Sequence, residues 1–259
     1  MERLKDQIVI LDFSGIYQEE QFWKEEKIVW ADVQEISGTN CYCDQDAVKE
    51  LKEKLENLPS EGIYFIDSGN YHYMSRIRAA KITEPFRLLV FDHHTDMQLP
   101  AFGGLLSCGG WIASALEEVE NLREVYLIGP PQADYDQVEE RFRCRVKYVS
   151  EEELPMKKWW EEVPTDLPLF VSIDKDVLCK QDASTTWSQG KMTLTQLLEG
   201  LEKLLERFQA ENGQISQVDI CGECDPKEST ENYKNDQANR IFLDFWKKWL
   251  IDVKGRETL

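Results

Sequence analysis

The chain has 259 residues, a formal net charge of −19 and 42% hydrophobic residues. That apolar content excludes disorder over most of the length, and the length suffices for one large domain with a complete core. The acidic balance, with no basic patch to neutralise phosphates, argues against a nucleic-acid partner and against residence on an anionic membrane surface.

In chain order, Met1-Glu2-Arg3-Leu4-Lys5-Asp6-Gln7 lacks the apolar segment of a signal peptide. No apolar run reaches bilayer length, so the expectation is a cytoplasmic protein. Ile8-Val9-Ile10-Leu11-Asp12-Phe13 reads as the first strand, broken by Ser14-Gly15. Residues 18–32 are acidic and aromatic and read as a surface segment. Val48, Leu51, Leu55 and Leu58 recur at helical spacing within 44–58. Ile63-Tyr64-Phe65-Ile66 predicts a strand, residues 73–81 a helix, and Leu88-Leu89-Val90-Phe91 a strand buried on both faces. A Gly-rich loop spans 99–104. Residues 111–119 predict a helix, and Val125-Tyr126-Leu127-Ile128-Gly129 and Arg145-Val146-Lys147-Tyr148-Val149 two strands.

Residues 151–162 read as an acidic, solvated helix or loop. Leu169-Phe170-Val171-Ser172-Ile173 predicts another buried strand. Residues 178–190 show no clear period and are expected to cover a site. Thr193-Leu194-Thr195-Gln196 fits a capping box opening a long amphipathic helix. Gln217-Val218-Asp219-Ile220-Cys221 predicts the last strand and 235–253 the last helix. Strands alternating with helices, without linker or repeat, predict a single α/β domain: a three-layer α/β/α sandwich on a mostly parallel sheet. The seven cysteines are an odd number without framework spacing, so free thiols are expected.

The chemistry-bearing residues sit where buried strands end. Asp92-His93-His94-Thr95-Asp96 follows one apolar run, and alternation along an extended chain points Asp92, His94 and Asp96 one way and His93 the other. Asp174-Lys175-Asp176 follows another, and Gly69-Asn70-Tyr71-His72 a third. In open α/β sheets ligands bind beyond these strand ends. Four carboxylates gathered from separate strands repel one another and resist desolvation unless cations neutralise them. Two divalent ions balance four aspartates, and carboxylate with imidazole but no thiolate favours a hard or borderline metal such as Mn²⁺.

These motifs resemble those of the arginase/agmatinase (ureohydrolase) superfamily. Asp92-His93-His94-Thr95-Asp96 is similar to its Asp-Ala-His-x-Asp, Ser172-Ile173-Asp174-Lys175-Asp176 to its Ser-x-Asp-x-Asp, and Gly69-Asn70-Tyr71-His72 to its Gly-Gly-Asp-His. Glu223-Cys224-Asp225-Pro226 resembles its Glu-Val-Asn-Pro. The order matches from Ile8 to Pro226. The resemblance implies an arginase-like fold and two Mn²⁺, one held by His72, Asp92, Asp96 and Asp174, the other by Asp92, His94, Asp174 and Asp176. It implies hydrolysis of a C–N bond in a small cationic guanidino or amidino substrate by a metal-bridging hydroxide. Glu223 would pair with the substrate cation, and Gln98 would face substrate. The resemblance leaves a homo-oligomer open.

One departure stands out. Ser107-Cys108-Gly109-Gly110 occupies the position of the family's Ser-His-Gly segment, so Cys108 stands where a proton-shuttling histidine is expected. A thiol, with an ordinary pKa of about 8.5 against about 6.5 for imidazole, is a poorer shuttle near neutrality. Two alternatives remain: a single-metal, deacetylase-like amide hydrolase, and a non-catalytic, metal-stabilised binding protein.

Overall fold

The computed structural model describes residues 7–99, 105–224 and 231–252. The strands are β1 (Ile8–Asp12), β2 (Ile28–Asp32), β3 (Tyr42–Cys43), β4 (Gly62–Phe65), β5 (Phe86–Phe91), β6 (Leu106–Ser107), β7 (Leu122–Ile128), β8 (Val146–Val149), β9 (Leu169–Asp174) and β10 (Ile215–Cys221). The helices are α1 (Gln45–Glu56), α2 (Met74–Ala79), α3 (Trp111–Glu118), α4 (Gln132–Tyr135), α5 (Glu140–Arg143), α6 (Leu194–Ala210) and α7 (Asn232–Asp252). Eight strands form one sheet in the order β2-β1-β4-β10-β9-β5-β7-β8. Every pairing in it is parallel. β3 and β6 form a separate antiparallel pair.

Alternation along each central strand feeds two cores. Leu89 and Phe91 of β5 join the core that carries Leu201 and Leu204 of α6 and Phe242 and Trp246 of α7. Leu88 and Val90 join the core that carries Leu51 of α1, Ile77 of α2 and Trp111 of α3. Both faces of the sheet are therefore covered, which is why these strands read as continuous apolar runs. The expected three-layer α/β/α architecture is the observed one.

Local sequence explains the helix ends. Asp44 caps α1 by accepting from the Ala47 amide. Thr193 and Gln196 form the full capping box on α6. Two expectations need correction. Residues 28–32 are not merely surface but form β2, an edge strand registered on β1 from Ile8↔Ile28 to Asp12↔Asp32; its half-exposed alternation hid it among charged neighbours. Of the helix or loop expected over 151–162, the structure has the loop, turns that end in the 3-10 helix Trp159–Glu161. The last helix starts at Asn232, earlier than its apolar stripe suggested. Residues 100–104, Asp225-Pro226 and Val253 lie outside the described residues. All seven cysteines are free, and no described helix is long and apolar enough to cross a membrane.

Candidate metal centre

Four adjacent strands, β4, β10, β9 and β5, deliver the site. His72 ends the 3-10 turn Gly69–Tyr71 beyond β4. Asp92 to Asp96 follow β5, and Asp174 closes β9. Asp176 lies in the 3-10 turn Lys175–Val177. Parallel neighbours lie about 4.8 Å apart, so side chains leaving their C-terminal ends can converge on one point.

They do converge. His72 Nδ1 lies 3.2 Å from Asp92 Oδ2, 3.4 Å from Asp96 Oδ2 and 3.5 Å from Asp174 Oδ2. His94 Nδ1 lies 2.8 Å from Asp176 Oδ2 and 3.6 Å from Asp92 Oδ1. His72, Asp92 and Asp96 make one group of ligand geometry, and Asp92, His94 and Asp176 a second. Asp92 belongs to both. A third group joins His72 and Asp174 to the thiol of Cys221.

The route to this convergence differs from simple strand alternation. β5 ends at Phe91. The chain then turns, with the His94 amide donating to Asp92 Oδ1 at 2.6 Å and Asp96 held at φ 49°. Left-handed backbone at a non-glycine residue is uncommon and marks functional positions more often than others. The same turn carries His93 away from the pocket, where its Nδ1 lies 3.2 Å from the position a Cβ would take on Gly190.

The donor atoms fit a divalent cation. His72 Nδ1 and Asp92 Oδ2 are buried and make no hydrogen bond, an arrangement that protein interiors avoid unless another partner is bound. Burial first, then repulsion from Asp92, pushes Asp96 up to about 7 and raises Asp174. Burial, then Asp174 and Asp92, raises Asp176 well above the carboxylate range. Burial also works against the charged Asp92, but the His72 and His94 rings outweigh it and hold Asp92 below its ordinary value. Cations among these oxygens would relieve the repulsion.

Buried partners hold the candidate ligands in place. His72 Nε2 meets Ser172 Oγ at 2.9 Å, Ser172 meets Ser75 Oγ at 3.1 Å, and Ser75 donates to Asp219 Oδ2 at 2.7 Å. Arg78 pairs with that aspartate. Trp111 Nε1 donates to Asp96 Oδ2 at 2.7 Å. Gly222, at φ 94°, lets the chain pass Asp174; a Cβ there would sit 2.4 Å from Asp174 Oδ1.

Above the cluster opens a cavity of about 240 Å³, walled by Cys41, Tyr42, Gln98, Cys108 and Trp187. Gln98 and Cys108 both line this cavity. The Cys108 thiol is pushed strongly up by burial, then by Asp96 and Cys41, so it stays protonated near neutrality. Trp187 comes from the covering segment, and Ser188 Oγ meets His94 Nε2 at 2.9 Å. A larger groove of about 710 Å³ beside Trp160 and Glu199 contains none of the candidate ligands.

Glu223 requires correction. It is fully buried, does not line the cavity, and accepts hydrogen bonds from Lys175 Nζ and Asn239 Nδ2. The lysine between the two aspartates, unremarked in the sequence, turns beneath the sheet end and neutralises it. A carboxylate committed to a buried ammonium is not free to hold a substrate cation. Cys221 was also missed: it counted only as one of the expected free thiols, whereas register sets it beside Asp174.

A model of the arginase family matches residues 8–245. An uncharacterized protein of Thermotoga maritima is 32% identical over 256 residues, covering 97% of this chain and 95% of that protein. The structure of agmatine ureohydrolase from Thermoplasma volcanium superposes with a TM-score of 0.67 at 13% identity, over 97% of this chain and 96% of that one. Proclavaminate amidino hydrolase from Streptomyces clavuligerus gives 0.67 at 16% identity, over 96% and 93%.

Proposed function

The chain belongs to the arginase family, and from that premise we propose that it is a cytoplasmic, binuclear metal-dependent hydrolase, with Mn²⁺ the first candidate metal, that cleaves a C–N bond in a small guanidino or amidino compound. The observation that carries this reading is Asp92 standing in both ligand groups. A carboxylate within reach of two ligand groups could serve two cations at once, which favours a paired centre over a single-metal amide hydrolase.

When bound, a pair of divalent ions supplies Lewis acidity and a water acidic enough to be deprotonated near neutral pH. The chain does the rest. His72, Asp92, Asp96, Asp174, His94 and Asp176 would hold the cations at the cavity floor. Ser172 holds the His72 ring so that Nδ1 faces the carboxylates. Trp187 and Tyr42, 41% and 55% exposed, flank the mouth. With Glu223 occupied by Lys175, recognition of a delocalised substrate cation falls to these aromatic faces and to the Gln98 amide. The neutral Cys108 thiol can donate a hydrogen bond near the leaving nitrogen, but it is a weak base. The reading involves no nucleic-acid or membrane partner, and a homo-oligomer is compatible with it.

The test is metal analysis together with turnover of arginine, agmatine, guanidinobutyrate and formiminoglutamate by Mn²⁺-loaded protein. Release of urea, ammonia or formamide from one of them supports the reading; metal-loaded protein inert toward all four guanidino and amidino compounds counts against it. Cys108 also supports a second reading, a binding protein that has lost its shuttle: there Cys108→His would create activity absent from the native chain.

A further inference from the structure

Cys221 closes β10 directly beside Asp174 of β9. It is 1% exposed, and its Sγ–H donates to Asp174 Oδ2 at 3.2 Å. Its sulfur, one His72 ring nitrogen and one Asp174 oxygen all lie within 4.8 Å of one another. Donors bound to a common ion at about 2.0–2.3 Å stand at most about 4.6 Å apart, and Asp174 Oδ2 lies 3.2 Å from the sulfur and 3.5 Å from His72 Nδ1. A second feature points the same way. His72 is 1% exposed, and its Nδ1 is buried without a hydrogen-bond partner while facing the carboxylates.

We infer that Cys221 is a thiolate ligand of the cation held by His72 and Asp174, so that this position takes Zn²⁺, Co²⁺ or Fe²⁺ in preference to Mn²⁺. The inference rests on the metal centre proposed above and makes it asymmetric. The His72 side combines imidazole, carboxylate and sulfur. The His94 side, with Asp92 and Asp176, offers only imidazole and carboxylate. Sulfur donors select borderline and soft ions, whereas oxygen-rich sites tolerate Mn²⁺. Coordination replaces the thiol proton, which passes to solvent. The Asp174 oxygen that accepted it is freed to bind the same cation.

Gly222 makes the approach feasible. The residue after Cys221 has φ 94° and no side chain, and a Cβ would collide with Asp174 Oδ1 at 2.4 Å and the Lys175 amide at 2.7 Å. The β10 strand end can therefore lie close against β9. Cys224, also buried, belongs to none of the three ligand groups found among the described residues. The relevant feature is thus the strand end, not a Cys-x-x-Cys pair.

The experiment uses the full chain stripped by a chelator and reloaded with Co²⁺ alone. The expected spectrum has a sulfur-to-cobalt charge-transfer band in the near ultraviolet in addition to visible d–d bands. The Cys41→Ser/Cys108→Ser double variant should keep the band, while Cys221→Ser should lose it and retain the d–d bands. In equimolar Zn²⁺ and Mn²⁺, the bound Zn:Mn ratio should fall about tenfold or more in Cys221→Ser, the scale on which metal-site changes alter affinity. Native protein that binds Co²⁺ with d–d bands but without charge transfer overturns the thiolate while leaving the centre intact. Native protein that binds no Co²⁺ overturns both.

Discussion

Glu223→Gln separates the two roles that this residue can have. In the structure its carboxylate is buried against Lys175, itself fully buried. Breaking a buried ion pair by neutralising one partner costs about 3–5 kcal/mol, because the other charge is left uncompensated. The low end applies here. Glu20 shares the Asn239 amide with Glu223, at 2.9 and 2.8 Å. Burial and then the Glu223 charge push the Glu20 carboxyl well up, so neutralising Glu223 removes one of these two causes and makes a Glu20 charge beside Lys175 less costly. A loss of about 3 kcal/mol lowers Tm by about 6–12 °C in a domain of this size. Thermal unfolding at matched metal loading reads the shift. Adding Lys175→Met to Glu223→Gln should recover about half of it, since no unpaired charge then remains. An unchanged Tm together with a raised KM would refute this account and return Glu223 to the substrate.

Other consequences follow from the same geometry. Asp92→Asn should abolish binding of both ions, measured as metal per chain, whereas His94→Ala should spare the ion on the His72 side; equal losses in the two variants would argue against a shared carboxylate. Trp111→Phe removes the donor to Asp96 at 2.7 Å and should weaken metal affinity about 10–100-fold, as titration against a competing chelator would show. The chelated protein should lose stability as pH rises. Asp96 has a folded pKa of about 7 against an ordinary 3.8, so its stabilisation is complete below the ordinary value and lost through the folded one. His94, raised to about 12 from 6.5 by Asp176 and Asp92 against the pull of burial, loses its contribution over that higher interval. Both have the same sign, so Tm of the chelated protein falls from about pH 4 to 8 and the gain on adding Mn²⁺ grows. A flat or rising Tm for the chelated protein would contradict these shifts.

The sequence by itself determined the layered α/β architecture. Buried parallel strands must be apolar on both faces, and Leu88-Leu89-Val90 and Phe170-Val171 declare this in one dimension. It also determined which carboxylates and imidazoles meet, because ligands gather at the C-terminal ends of such strands and His72, Asp92, His94, Asp96, Asp174 and Asp176 all follow them. Tertiary structure alone decided which charges are already paired and which side chains face the centre. Lys175, between the two aspartates, gave no signal in the sequence; the turn after β9 carries it to Glu223. Cys221 was only one of seven expected free thiols until the register of β10 on β9 brought its sulfur to Asp174 and His72. Neither follows from local pattern, since each depends on contacts across 48 residues and 47 residues of chain, and strand order and register, not spacing, bring such groups within bonding distance.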